Sequence, residues 1–257
     1  MRIRHTGEGK VVLIAGGDKI YTDIAARFVR SERELDDIIS SPYDKHIVQN
    51  IIRSGHLAAM EFDYYLFGVE GYSRVTETQL VRKRMASYLI KSGRCDLHGK
   101  REFDIVYPKS LDELSVTMED GTILTPAILA KYMEYFYNAG LKLNYPEEDL
   151  RYFKPQATVF KGIIGMNAHA LKDFFRVRCC MNAQHEIRDM ANKMLKLCRQ
   201  VSPDLFADAG PNCKVLGYCP ENDYQNAKCK GKILTKDEAF KILKMCRNKL
   251  GKMPFYV

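Results

Sequence analysis

Residues Glu61-Phe62-Asp63-Tyr64-Tyr65-Leu66-Phe67-Gly68-Val69 are dense in aromatic side chains and read as a β-strand. Set between segments of helical periodicity, this strand points to a core shared by a sheet and helices. Lys10 to Gly16 adds a short buried strand ending at the turn Gly16-Gly17, and Phe103 to Tyr107 a third. Helical patterns are read from Thr22 to Ile39, His46 to Ser54, Thr76 to Lys91, Pro126 to Asn138, Glu147 to Phe153, and much of Lys161 to Val201. Glu119-Asp120-Gly121-Thr122 reads as a turn. Thr235 and Glu238 stand at capping-box spacing and predict a last helix that closes at Gly251. The expected fold class is α/β (α+β), with residues 1–201 as the main domain and 202–257 as a cysteine-containing C-terminal extension.

With 46% hydrophobic and 28% charged residues, the composition excludes a disordered chain. No apolar run approaches the 18 or so residues of a membrane span, and Val11 to Ala15 is far too short. Met1-Arg2-Ile3-Arg4 lacks the apolar segment of a signal peptide, so a cytoplasmic protein with no membrane partner is expected. Lys and Arg number 40 against 32 Asp and Glu, a net charge of +8 that suits an anionic ligand or a solvated surface. No nucleic-acid-binding module accompanies this charge, so no nucleic-acid partner is expected.

The eight cysteines are uneven: none precedes Cys95, and seven lie between Cys179 and Cys246. Without an export signal they read as thiols or metal ligands rather than disulfides. Cys198, Cys213, Cys219 and Cys229 would allow a structural zinc site, because the Pro, Gly and Asn between them let the chain converge. Buried free thiols are the competing reading. Cys246, on a stripe with Phe240, Ile242, Leu243 and Leu250, reads as core.

Gln79 to Arg94 is the most informative stretch. As a helix it would turn Val81, Met85, Tyr88 and Leu89 inward, with Gln79, Arg82, Lys83, Ala86 and Ile90 opposite. That second face suits a flat heterocycle carrying a phosphate, and Ser92-Gly93-Arg94 adds a hydroxyl, a permissive backbone and a guanidinium. Arg178 follows Leu171, Phe174 and Phe175 on an apolar helical stripe, where a guanidinium must be paired or used.

Arg82-Lys83-Arg84-x-x-Ser87, continuing to Ser92-Gly93-Arg94, resembles the signature of the flavin-dependent thymidylate synthases, the ThyX family. Gly55-His56-x-x-x-x-Glu61 is similar to that family's His-x-x-x-x-Glu segment. Asn167-Ala168-His169, then Arg178, then Ala183-Gln184-His185-Glu186-Ile187-Arg188 resembles its closing motif. The resemblance covers roughly residues 10 to 200. It implies a ThyX-like fold with a mixed sheet and long helices, assembled as a homotetramer. It further implies methylation of dUMP to dTMP with FAD, NADPH and methylenetetrahydrofolate. By motif, Gln79, Arg82, Ser92, Gly93, Arg94, Arg151 and Arg178 would bind dUMP, and Arg178 would also polarise the pyrimidine as the catalytic residue. His56, Arg82, Lys83, Arg84, Asn167 and His169 would line the FAD. The sequence departs from the pattern at Lys83, Ile90, Phe62, Asn182 and His185. Those departures keep open a ThyX-fold pyrimidine-nucleotide enzyme of changed chemistry, or a non-catalytic homologue.

Overall fold

The computed structural model describes residues 1–92 and 102–250, with side chains described through residue 246. In chain order the elements begin with β1 (Arg2–His5), β2 (Lys10–Ala15), α1 (Ile20–Phe28), α2 (Leu35–Ile39) and α3 (Lys45–Arg53). Next come β3 (Tyr64–Ser73), α4 (Arg74–Leu80), β4 (Ser87–Ile90), β5 (Asp104–Tyr107), β6 (Val116–Thr117) and β7 (Ile123–Leu124). Then follow α5 (Pro126–Lys142), α6 (Glu147–Leu150), β8 (Val159–Asn167), α7 (Ala168–Arg178) and α8 (His185–Val201). The chain closes with α9 (Pro203–Phe206), α10 (Asn212–Leu216) and α11 (Lys236–Leu250). This is the helix-and-sheet class expected.

Contacts divide the chain into two compact units that interleave in sequence: Met1–Gly17 with Asp63–Asn167, and Asp18–Phe62 with Ala168–Val257. The first holds a four-stranded antiparallel sheet in the order β2-β3-β8-β4. In β3, Tyr65, Phe67 and Val69 are buried while Tyr64 and Glu70 face out, the two-residue period of a strand with one covered face. A bulge between Glu70 and Tyr72 is allowed by Gly71 at φ 80°, a conformation that costs glycine little. A second cluster, Phe103, Ile105, Ala130, Tyr137 and Leu150, joins β5 to α5 and α6.

The second unit is helical. In α8 the buried residues Ile187, Met190, Ala191, Met194, Leu195 and Cys198 recur at helical spacing, and Gln184 caps the start by accepting from the Glu186 and Ile187 amides at 2.9 and 3.0 Å. Phe175 of α7 meets Phe206 of α9 edge to face, with centroids 6.1 Å apart. Thr235 and Glu238 form the expected capping box: the Thr235 amide donates to Glu238 at 2.8 Å and the Glu238 amide to Thr235 Oγ1 at 3.3 Å.

Five expectations are corrected. The helix expected over Thr76 to Lys91 ends at Leu80, and Ser87–Ile90 is a strand instead. Ser73 caps and starts α4 early, by accepting from the Thr76 amide at 3.2 Å, and pairing of β4 with Gly162 to Gly165 of β8 then overrides the helical pattern. Val81, Met85 and Leu89, expected to pack inward, are exposed. The helical pattern read from Lys161 is β8 up to Asn167, whose apolar run fits a covered strand as well as a helix. Thr22 to Ile39 is two helices rather than one. Lastly, Phe240, Ile242, Leu243 and Cys246 of α11 are exposed among the described residues rather than core.

Candidate active site

The Arg82-Lys83-Arg84 motif occupies the turn between α4 and β4. Its backbone is fastened from within: the Tyr88 hydroxyl lies 2.8 Å from the Leu80 carbonyl and 2.9 Å from that of Lys83. Beside it on the edge strand, the Tyr64 hydroxyl donates to Ser87 at 3.2 Å. Arg82 and Arg84 thus stand exposed on a turn of defined course, and Lys83 is half-buried.

Past β4 the chain enters a cavity of about 510 Å³ within the first unit, lined by Lys91 and Ser92 on one side and by residues from Arg151 to Lys161 on another. Five cationic side chains border it (Arg74, Lys91, Arg151, Lys154 and Lys161) against the single carboxylate of Glu77. Arg74 is held in place by an ion pair with Glu77 and by donating to the Lys91 carbonyl at 3.2 Å. Lys154 sits over the Tyr137 ring, 4.5 Å from its centroid, which ties this wall to the Phe103–Tyr137 cluster. An excess of fixed cations around a concave site focuses a potential suited to a phosphate monoester.

The structure brings together only part of the motif-derived set. Ser92 and Arg151 share the cavity. Gln79 lies in α4 and Arg82 on the turn, neither of them lining the cavity. Gly93 and Arg94 fall outside the described residues. Asn167 ends β8 in the same unit. The other three belong to the second unit: His56 is exposed ahead of a short 3₁₀ turn, His169 is in α7, and Arg178 is half-buried at the α7 C-terminus. His169 Nδ1 lies 3.0 Å from Glu61, so the histidine and the carboxylate of two separate motifs meet.

Motif reasoning missed Arg74, Lys91, Lys154 and Lys161. Only their positive charge marked them, and charge is common on any surface. Arg188, the last residue of the closing motif, braces the loop before α8 by donating to the Met181 and Ala183 carbonyls at 2.8 and 3.0 Å. Asn182, where the family pattern has histidine, donates to Glu221 and, at 2.9 Å, to the Tyr224 carbonyl. That departure therefore has a structural use in this chain.

The zinc set expected from sequence is not assembled. Cys198 is fully buried in α8, and burial pushes its thiol far up. Among the described residues no group of three or more His, Cys, Asp or Glu side chains is arranged to hold a metal ion. Cys213, Cys219 and Cys229 instead line a second cavity together with Cys179, Cys180 and Arg178. Also among the described residues, no helix is long and apolar enough to cross a membrane.

A family model described as thymidylate synthase complementing protein matches residues 12–204. A flavin-dependent thymidylate synthase of Nitratidesulfovibrio vulgaris is 40% identical over 230 residues, covering 86% of this chain and 90% of that relative. Another from Geobacter sulfurreducens is 33% identical over 219 residues, covering 85% and 89%. The fold resembles the crystal structure of a UMP/dUMP methylase, PolB from Streptomyces cacaoi, bound with 5-Br dUMP. Its TM-score is 0.65 over 80% of this chain and 96% of that one, at 18% identity. On the extent of these matches, the chain belongs to the flavin-dependent thymidylate synthase family.

Proposed function

We propose that the chain is a flavin-dependent thymidylate synthase that methylates dUMP at C5 to give dTMP. The observation that carries this reading is the cationic cavity in which Ser92 and Arg151 meet, in a chain whose named relatives are synthases. Residues 1–201 hold the catalytic part in this reading, in keeping with a family match over 12–204.

Within that cavity Ser92 and Arg151 bind the nucleotide phosphate, and Arg74, Lys91, Lys154 and Lys161 supply the surrounding charge. Gln79, Arg82, Gly93 and Arg94 complete the dUMP contacts. Arg178 faces the pyrimidine and stabilises negative charge that develops on the ring. His56, Arg82, Lys83, Arg84, Asn167 and His169 hold FAD. The exposed guanidiniums of Arg82 and Arg84, on their fastened turn, suit its diphosphate, and the Glu61 carboxylate orients the His169 ring. The chemistry supplied by the flavin is the delivery of reducing equivalents drawn from NADPH, while methylenetetrahydrofolate donates the carbon. A homotetramer, as in the family resemblance, brings the residues of each site together.

The test is a visible spectrum of protein loaded with FAD and titrated with dUMP. The reading predicts a saturable perturbation of the flavin bands by dUMP in the wild type. In Arg151→Ala the dUMP concentration needed should rise by about tenfold to a hundredfold, the worth of one charged hydrogen bond at about 1.5–3 kcal/mol. A chain that retains no flavin in excess FAD contradicts the proposal.

A further inference from the structure

Arg178 borders the second cavity, about 470 Å³, which lies wholly within the second unit. On one side are the end of α7 and the loop 179–184 that leads to α8; on the other is the C-terminal extension, with Pro220, Glu221, Gln225 and Ile233. Within the loop, the Ala183 amide donates to the Cys180 carbonyl at 3.0 Å. Two further sets of ties come from outside it. Arg188 of α8 donates to the Met181 and Ala183 carbonyls. From the extension, the Asn226 side chain donates to the Met181 carbonyl at 3.2 Å, while Asn182 reaches back to Glu221 and, at 2.9 Å, to the Tyr224 carbonyl.

The extension is itself anchored on the two helices that flank the loop. Lys172 of α7, only 3% exposed, is ion-paired with Asp208 at 2.7 Å. A buried ammonium is tolerable only with such a partner, so this pair fixes how the extension meets α7. Arg199 of α8 donates to the Ala209 carbonyl at 2.6 Å and to that of Phe206 at 3.3 Å. Further along, the Cys219 amide donates to the Leu234 carbonyl at 2.7 Å and the buried Gln225 side chain to that of Ile233 at 2.8 Å. The stretch that carries Glu221 and Asn226 is thereby closed on itself.

We propose that this part of the extension positions Arg178 for the reaction, with Asn182 and Asn226 as the positioning residues; the proposal rests on the role given to Arg178 above. Arg178 is the last residue of α7, so the direction of its side chain depends on where the helix ends and how the loop leaves it. A guanidinium stabilises charge developing on a ring only from hydrogen-bond distance, and a displacement of about 1 Å costs about a hundredfold in rate. The carboxamide of Asn182 has two N–H donors and places them on two acceptors, which one imidazole N–H could not do. This gives the departure from the family pattern at that position a functional reason. The family match ends at residue 204, and the partners Glu221, Tyr224 and Asn226 all lie beyond it.

The test is steady-state kinetics of dTMP formation, beside amide hydrogen exchange over residues 179–184, in the full-length protein. Asn226→Asp keeps the acceptor that caps the Lys228 amide at 3.0 Å and removes the donor to Met181. Asn182→Ala removes both donations from the loop, and Thr235→Ala loosens the extension at its capping box, away from the loop. In the two asparagine variants kcat should fall by about tenfold or more while the KM for dUMP stays within about twofold. Their loop amides should exchange about tenfold faster. Thr235→Ala should lower the melting temperature and leave kcat and loop exchange as in the wild type. Wild-type kcat in both asparagine variants, or an equal loss in Thr235→Ala, overturns the proposal. Unchanged loop exchange in both asparagine variants overturns it without any appeal to turnover. Arg178→Ala separates the two levels. Full turnover in that variant removes the role of Arg178 and this proposal with it, whereas an inactive Arg178→Ala beside fully active asparagine variants overturns the positioning alone.

Discussion

Tyr88 shows how one hydroxyl on an edge strand sets the course of the Arg82–Arg84 turn. Placed 2.8 Å from the Leu80 carbonyl and 2.9 Å from that of Lys83, it closes the end of α4 onto the motif that follows. Tyr88→Phe keeps the ring and removes the link, so it should destabilise the chain by about 1 kcal/mol in urea unfolding and raise the KM for dUMP. An unchanged KM would detach the Arg82–Arg84 turn from nucleotide binding. Asp204 makes a second single-residue case, in the helical unit. Burial pulls its carboxyl upward, but hydrogen bonds from Lys19 at 3.1 Å and Tyr43 at 3.0 Å, with the charges of Lys19 and Lys45, hold it below the usual carboxylate range. Because its folded value is depressed, the stability it contributes is full above the unfolded carboxylate range and is lost as the pH falls through the folded value. Asp204→Asn should therefore lower stability by about 1 kcal/mol at neutral pH and make little difference in strong acid, read from melting curves across pH.

Among the elements, β4, like the start of β8, was misassigned by sequence periodicity, and it carries the chain into the cationic cavity. Its residues Ser87, Tyr88, Leu89 and Ile90 fit a helix stripe and a strand equally; the choice was made by β8, which lies about 75 positions away and offers its edge. No local signal reports such a partner. Gly162 of β8 allows that pairing: a Cβ there would lie 2.9 Å from the Leu89 carbonyl oxygen. Gly162→Ala should push β4 outward, cost about 1–3 kcal/mol, and weaken dUMP binding through Ser92. Full stability and affinity in that variant would show that the β4 edge does not position Ser92. Elements with local signals were legible in advance: the aromatic-rich strand β3, the helical pattern that covers α8, and the Thr235–Glu238 box. Within the site, motif residues such as Ser92 and Arg151 could be named from spacing and resemblance. Lys154 and Lys161 could not, since what distinguishes them is the shared cavity and not their neighbours in sequence. The cysteine pattern failed for the same reason. Cys198 stands among the later cysteines in sequence, but the α8 stripe buries it, while Cys180 reaches the thiol cavity.

For the whole molecule, the two compact units each take segments from both halves of the chain, so the motifs distribute between them. Ser92 and Arg151 lie in one, and His56, His169 and Arg178 in the other. The departures at Lys83, Ile90, Phe62, Asn182 and His185 are then weighed against a match that spans most of the chain and relatives up to 40% identical that are named synthases. The most direct measurement is dTMP formation from dUMP by the purified protein, supplied with FAD, NADPH and methylenetetrahydrofolate. The account predicts turnover that requires all three additions and is abolished in a folded Arg178→Ala variant. No dTMP from flavin-loaded wild-type protein, or wild-type rates from Arg178→Ala, would contradict it.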